Sequence, residues 1–167
     1  MTSADVAIEP LAPEFYEQAA SWIADPGVNR WLYSEWRERP VSEALVAAVA
    51  MNAKNRLFLI RAAATPVGLA ALSQIGAHDR HAAVWYLLGE SSQGSRGVAT
   101  TAVGLLAEHA FRDAGLHSIE ASVHEPNVAS RRVLEKNAFR LAGRLRQAFA
   151  TDHGYVDRLL YERLSGD

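Results

Sequence analysis

The chain contains no cysteine. That absence excludes disulfide cross-links, thiolate chemistry and cysteine-based metal sites. Excess charge of one sign is missing too. Lys and Arg total 17 against 19 Asp and Glu, a formal net charge of -2. There is thus no electrostatic case for nucleic acid as the main partner. No apolar run is long enough to span a bilayer. Met1-Thr2-Ser3-Ala4-Asp5 lacks the basic region and apolar core of a secretory leader. A cytoplasmic protein without membrane attachment is expected. Internal repeats and low-complexity linkers are also absent. The six histidines are scattered, without ligand-like spacing on one element, so no metal site is expected.

What remains is ordinary globular material, 49% hydrophobic and 22% charged over 167 residues. That length predicts one domain over 1–167, burying roughly two-thirds of its unfolded surface. Val6-Ala7-Ile8 reads as a short strand ending at Pro10. Pro13 and Glu14 open a helix through about Ala24, and Asp25-Pro26-Gly27 stops it. Residues 28–39 read as an aromatic, charged loop. A second helix starts at Val41 or Ser42, with Ser42 as N-cap, and runs to about Ala53. Leu57 to Ala62 and Val67 to Ile75 read as strands joined at Thr65-Pro66, and Ala82 to Gly89 as a third. A helix follows to about Ala114, with Gly115 as its C′ residue. Ser118 to His124 alternates Ile119, Ala121 and Val123 against Glu120, Ser122 and His124, a strand with one buried face. Asn127 to Asn137 reads as a helix, and Phe139 to Ala148 and Tyr155 to Leu164 as closing strands.

One stretch carries chemistry. Gly94-Ser95-Arg96-Gly97-Val98-Ala99-Thr100 lies between the apolar run Val84–Gly89 and a helical pattern opening near Val98. A strand, a glycine-bearing loop and a helix N-terminus together make an anion site. The first N–H groups of a helix lack intrahelical partners, and the dipole adds about half a positive charge there. Glycine lets that backbone approach a phosphate closely. No Lys-Ser or Lys-Thr pair follows the second glycine, so this is not a Walker A loop. The glycine spacing does not suit a dinucleotide fingerprint either.

Gly97-Val98-Ala99, with Arg96 in front, resembles the pyrophosphate loop of the GNAT acetyltransferase superfamily. Gly94 departs from that pattern, standing where the family has Gln or Arg. Pro126 through Phe139, which includes Asn127, Ser130 and Lys136, resembles the Asn-x-x-Ser…Lys-x-Gly-Phe segment of one GNAT branch. That branch holds ribosomal-protein N-alpha-acetyltransferases and many small-molecule N-acetyltransferases. Ala138 replaces its usual Gly. Asp25 through Leu32 resembles the branch's first helix-to-helix loop, and Gly154 through Asp157, with Tyr161, its last strand. The resemblance implies an α+β fold in α/β/α layers. Its mixed, mostly antiparallel sheet has about six to seven strands, flanked by about four helices.

It also implies acetyl transfer from acetyl-CoA to an amine by direct attack in a ternary complex. The backbone of Gly94, Ser95, Arg96, Gly97, Val98, Ala99 and Thr100 would cradle the pyrophosphate. Arg96 and Arg132 would neutralise phosphates, or are solvated surface cations. The Leu87 and Leu88 backbone would run beside the pantetheine arm, and one of their N–H groups would meet the developing oxyanion. Ser130 would supply a hydrogen bond to the leaving thiolate, or is a capping serine. Asn127 is a natural N-cap and also a pantetheine contact.

The amine needs a base or a water chain. The strand from Ala82 to Leu88 has no acid, so His81 is the first candidate, with Asp79, His78 and Glu35 as rivals. His81 could equally belong to a polar turn. Tyr33, Glu35 and Trp36 are expected in the substrate pocket, with Glu35 and Glu38 able to pair an ammonium. Trp31 is expected in the core. Asp157 is either a substrate contact or a turn-fixing acceptor. The expected acceptor is a small-molecule amine, with a peptide N-terminus as the alternative; a homodimer is compatible with either. A non-catalytic acyl-CoA sensor and a nucleotide-binding module are the competing classes.

Overall fold

Two strands from the middle of the chain show why the molecule is layered. In β2 (Arg56–Ala62), Leu57 and Leu59 belong to one buried cluster, whereas Phe58 and Ile60 belong to another. In β3 (Thr65–Gly76), Leu69 and Ala71 face the first cluster and Ala70 and Leu72 the second. A strand apolar on both faces must be covered on both faces. The computed structural model, which describes residues 5–89 and 97–167 and only the backbone of Ser34 and Glu35, shows how this is met. Helices α1 (Tyr16–Ala24) and α4 (Glu43–Met51) cover one face, and α5 (Val98–Glu108) and α6 (Val128–Lys136) the other.

The sheet has seven strands. β1 is Val6–Pro10, β4 His81–Leu88, β5 Ser118–His124, β6 Arg140–Thr151 and β7 Gly154–Leu164. Their order is β1-β2-β3-β4-β5-β7-β6. Every neighbouring pair is antiparallel except β4 and β5. With four helices of nine or more residues, this is the α/β/α architecture the motifs imply.

Local chemistry sets most boundaries. Ser42 caps α4 by accepting from the Leu45 N–H at 3.3 Å, and Asn127 caps α6 by accepting from the Ser130 N–H at 3.1 Å. Gly115 follows the α5 extension at φ 64°. Three expectations shift. The β2–β3 turn is Ala63-Ala64, and Thr65 and Pro66 already stand in the ladder opposite Ala62 and Arg61. The register slips between Ile60 and Arg61, so Pro66 sits at a bulge, where its missing N–H does no harm. Residues 28–39 are not a plain loop. They include the end of α2 (Pro26–Asn29) and all of α3 (Ser34–Arg37), each one turn long. The Asn29 side-chain amide donates to the Ile23 and Trp36 carbonyls at 3.0 and 2.9 Å, which braces this segment. The helix expected to reach Ala114 is α-helical to Glu108 and continues as a π-turn over His109–Asp113.

Asn137 ties α5 to α6, donating from its side chain to the Thr100 carbonyl at 3.0 Å and the Val133 carbonyl at 2.9 Å. Asn137→Ala is expected to lower unfolding free energy by about 1–2 kcal/mol, the size of two partly buried hydrogen bonds. Urea titration followed by circular dichroism measures it. An unchanged midpoint would mean that the tie adds nothing.

Candidate active site

The parallel pair β4–β5 holds register over only three residue pairs, His81↔Ser118, Ala82↔Ile119 and Ala83↔Glu120. Beyond Ala83 the strands part. A cleft of about 790 Å³ opens between Val84–Gly89 and Ala121–His124, bordered by the starts of α5 and α6 and by the α2–α3 segment. The cleft side of β4 therefore carries backbone groups without a ladder partner. The Gly89 N–H donates to the Val67 carbonyl on β3 at 2.9 Å. Strand alternation then directs the Leu87 N–H to β3 and the Leu88 N–H into the cleft. Both leucine side chains stay in apolar surroundings, Leu87 in one core and Leu88 packed against the other.

At one end of the cleft lies the α5 N-terminus. Gly97 is its N-cap at φ 75°, a left-handed conformation that favours glycine. The Gly97 carbonyl accepts from the Thr101 N–H at 3.0 Å. The N–H groups of Val98, Ala99 and Thr100 are left without intrahelical acceptors. Among the described residues, a Cβ placed at Gly97 would meet nothing within 4 Å. N-terminal helix N–H groups at the border of a cleft fit a diphosphate. Gly94, Ser95 and Arg96 lie outside the described residues. Arg132 and Lys136, exposed on α6, also border the cleft.

The first turn of α6 supplies the next group. Ser130 Oγ lies 2.7 Å from the Tyr86 hydroxyl, which also donates to the Ser130 carbonyl at 3.2 Å. Burial pushes the Tyr86 phenol well above the usual tyrosine range, only partly opposed by its hydrogen bond with Ser130. Tyr86 is a neutral hydroxyl paired to Ser130 beside the gap. Reading the sequence missed this tyrosine. The available signal was a phenol in an otherwise apolar strand, which must find a partner when buried.

At the other end the aromatic residues redistribute. Trp31, expected in the core, is half-buried, borders the cleft and stacks on His124 at 6.5 Å between ring centroids. Trp36 reaches the cleft wall but is 5% exposed, packed against Trp85 at 5.9 Å as a core residue. Tyr33 borders the cleft. The Glu35 side chain lies outside the described residues.

His124, expected on the polar face of β5, is 4% exposed. The Phe149 ring from β6 covers it at a centroid distance of 3.4 Å. Burial first, then the charges of Arg158 and Arg37, lower its imidazole to about 4. It borders the cleft as a neutral ring. Strand alternation could not reveal this, because a distant strand and the α2–α3 segment do the covering.

Two expected site residues fall elsewhere. His81 opens β4 at the end remote from the gap, with Nδ1 3.0 Å from Ser118 Oγ and Nε2 3.7 Å from Glu120. It does not border the cleft, and neither do His78 and Asp79, which are exposed in the preceding turn. Asp157 accepts from the Gln147 N–H at 2.8 Å and from Arg144. The Gln147 N–H and then Arg144 hold its carboxyl below the usual carboxylate range. Of its two readings, the local acceptor describes it, since it pins the β6 irregularity between Leu145 and Phe149. Among the described residues, no group of three or more His, Asp or Glu could hold a metal ion. No helix there is long and apolar enough to cross a membrane.

His124 binds a proton less readily in the folded chain than in the unfolded one, so acid favours unfolding. Its contribution is intact above about pH 6.5 and is lost as pH falls toward 4. The His124 ring resonances should stay those of the neutral form from pH 8 to 5.5 and move only near 4. NMR titration checks this; a midpoint near 6.5 would mean an open, solvated ring.

Comparison with known proteins gives a consistent picture. The family model for the acetyltransferase (GNAT) domain matches residues 5–140. The Bacillus subtilis (strain 168) protein "Probable N-acetyltransferase YjcK" is 40% identical over 84 residues, covering 50% of this chain and 46% of that protein. The match thus spans less than half the length of that relative. Mycobacterium smegmatis RimJ, solved in complex with CoA-disulfide, superposes with TM-score 0.81 at 26% identity, covering 96% of this chain and 82% of that one. Spermidine N-acetyltransferase from Vibrio cholerae, solved with CoA and spermine, superposes with TM-score 0.86 over 98% of this chain and 97% of that one. At 19% identity, that likeness speaks for the fold alone.

Proposed function

The chain belongs to the GNAT acetyltransferase family, and on that premise we propose that it transfers the acetyl group of acetyl-CoA to a primary amine of a small molecule. The observation that carries this reading is the parting of β4 and β5 beside the free donors of α5. The helix end suits an anionic diphosphate, and the gap between strands admits a thin, extended arm with its thioester.

Each residue then has a job. The N–H groups of Val98, Ala99 and Thr100 bind phosphate oxygens, and Arg132 adds charge from α6. The Leu88 N–H, turned into the gap, donates to the thioester oxygen as negative charge develops there. Ser130 donates to the departing sulfur. It sits in the first turn of α6, where the helix end also favours negative charge. Tyr86 holds the Ser130 hydroxyl in place. Asn127 keeps that first turn in place.

Deprotonating the acceptor requires no carboxylate on β4. The charges of Arg158 and Arg37, which help to lower His124, also disfavour an ammonium close to it. The amine is thus favoured in its free form on entering the cleft, releasing its proton to water. His81, remote from the gap, is left with a structural task at the start of β4.

Ser130→Ala is expected to reduce turnover about ten- to a thousandfold while changing acetyl-CoA affinity much less. Tyr86→Phe should fall in the same direction. Thiol release with a panel of primary amines, beside calorimetry with CoA, measures both. Tight CoA binding without thiol release for any amine or peptide would replace this reading with an acyl-CoA sensor. Acetylation confined to peptide N-termini would move the acceptor class.

His81→Gln should keep the rate within about twofold of wild type across pH 6 to 9, since it touches nothing that reacts. Loss of an ionisation limb near 6 to 8 in that variant would restore His81 as the base.

A further inference from the structure

Two polar side chains on β5 line the cleft without partners of their own. Ala121 and Val123 belong to the core beneath α5 and α6, so Ser122 and His124, which alternate with them, stand on the other face of the sheet. Both border the cleft, and His124 is 4% exposed. Among the described residues, the Ser122 hydroxyl oxygen and His124 Nδ1 are buried with no hydrogen-bond partner. Buried polar atoms of this kind are few in a folded protein, and each is unfavourable. Two of them, two residues apart on one strand and in one cleft, call for a ligand that supplies the donors.

The state of the ring suits that role. Burial, and then the charges of Arg158 from β7 and Arg37 from α3, keep it neutral. A neutral imidazole carries one N–H and one lone pair. A proton on Nδ1 would be a buried donor without an acceptor, so the lone pair belongs there. Phe149 covers the ring at 3.4 Å and Trp31 stacks on it at 6.5 Å between centroids, which fixes its place. The Ser122 hydroxyl is a second acceptor on the same face. Counting on from Ala83↔Glu120 sets Ser122 level with Trp85 and His124 level with Leu87, one residue before Leu88. Ser130, carried by α6, meets the gap from the opposite face of the sheet.

We propose that His124 Nδ1 and the Ser122 hydroxyl are the pair that holds the acceptor, each accepting a hydrogen bond from the attacking amine nitrogen. The inference rests on the acetyltransferase reading and deepens it by naming the residues that bind the amine. A free primary amine has two N–H donors and one lone pair. Holding both N–H groups from the β5 side leaves the lone pair turned across the gap, toward a thioester carbon beside Leu88. The nitrogen–carbon bond then forms from one face of the sheet. The carbon–sulfur bond breaks toward the other, where Ser130 donates. The proton that the nitrogen sheds goes to water, and the ring stays neutral throughout. An ammonium, with no lone pair, gains nothing from this orientation.

The test uses the full chain, with benzylamine, tryptamine and the dipeptide Ala-Leu as acceptors and thiol release as the signal. Calorimetry with CoA reports that each variant is folded. His124→Asn keeps an acceptor oxygen near the place of Nδ1 and gives up the ring. His124→Phe keeps a ring against Phe149 and Trp31 and gives up the acceptor. The Asn variant should hold kcat/KM for the amine within about fivefold of wild type, and the Phe variant should lose about ten- to a hundredfold. CoA affinity should be unchanged in both. A packing role alone would reverse that order, since the Phe variant preserves the stack. Ser122→Ala should cost about three- to tenfold, expressed in the amine and not in CoA affinity. If both His124 variants lose CoA affinity, the smaller Ser122→Ala change decides by the same criterion. A Phe variant faster than the Asn variant, or Ser122→Ala at the wild-type rate, would overturn the pair and leave the acetyltransferase reading intact. No thiol release by the wild type with any of the three acceptors would overturn that reading, and the pair with it.

Discussion

The site depends on the two central strands being held together at one end and apart at the other. β4 and β5 are paired from His81 to Ala83 and then separate, although both continue to pair on their outer sides with β3 and β7. An opened ladder leaves backbone donors and acceptors unmet, which is unfavourable inside a protein. Here the opening is braced from above. The Tyr86 hydroxyl spans from β4 to Ser130 in α6, and Asn137 ties α6 to α5. Both helices therefore present their first turns to the same gap.

Those two helix ends give the cleft positive character without a side-chain charge. At the α5 end the positive character comes from backbone N–H groups, which need no side chain and no counter-ion. At the other end Arg30 borders the cleft and lies on the Trp31 ring, while Arg37 and Arg158, which do not line it, lie on the Phe149 and Tyr33 rings. All but two of the 17 basic residues are arginine. That choice matters because a guanidinium can rest flat on a ring and still offer its edge to an anion, which a lysine ammonium cannot do. His124, between rim and gap, is kept neutral by burial and by the same charges.

Close packing around the gap explains why some small residues cannot be exchanged. Gly89 ends the cleft wall where the Trp22 ring passes, and a Cβ there would lie 2.1 Å from the indole. Trp22 belongs to the core under α1, so the end of β4 is locked to the helix that carries the acceptor-side segment. Asn29 then braces that segment by bridging the end of α1 to α3. The rim and the gap are thereby positioned by one continuous set of contacts.

The order and type of the main elements were determined by the sequence alone. Alternation marks β5 as Ser118 to His124, and Ser42, Asn127 and Gly115 punctuate helices through local bonds and local backbone geometry. The loop and Asn-x-x-Ser motifs announce the family for the same reason, since their chemistry lies within a few consecutive residues. Only the tertiary structure decided where long-range cover falls. It turned His124 inward under Phe149, moved Trp31 from core to cleft, set His81 apart from the gap, and assigned Asp157 to Arg144 and the Gln147 backbone. Partners of this kind come from strands and helices tens of residues away. Periodicity reports which face of an element a residue occupies, but not what the rest of the chain brings to that face.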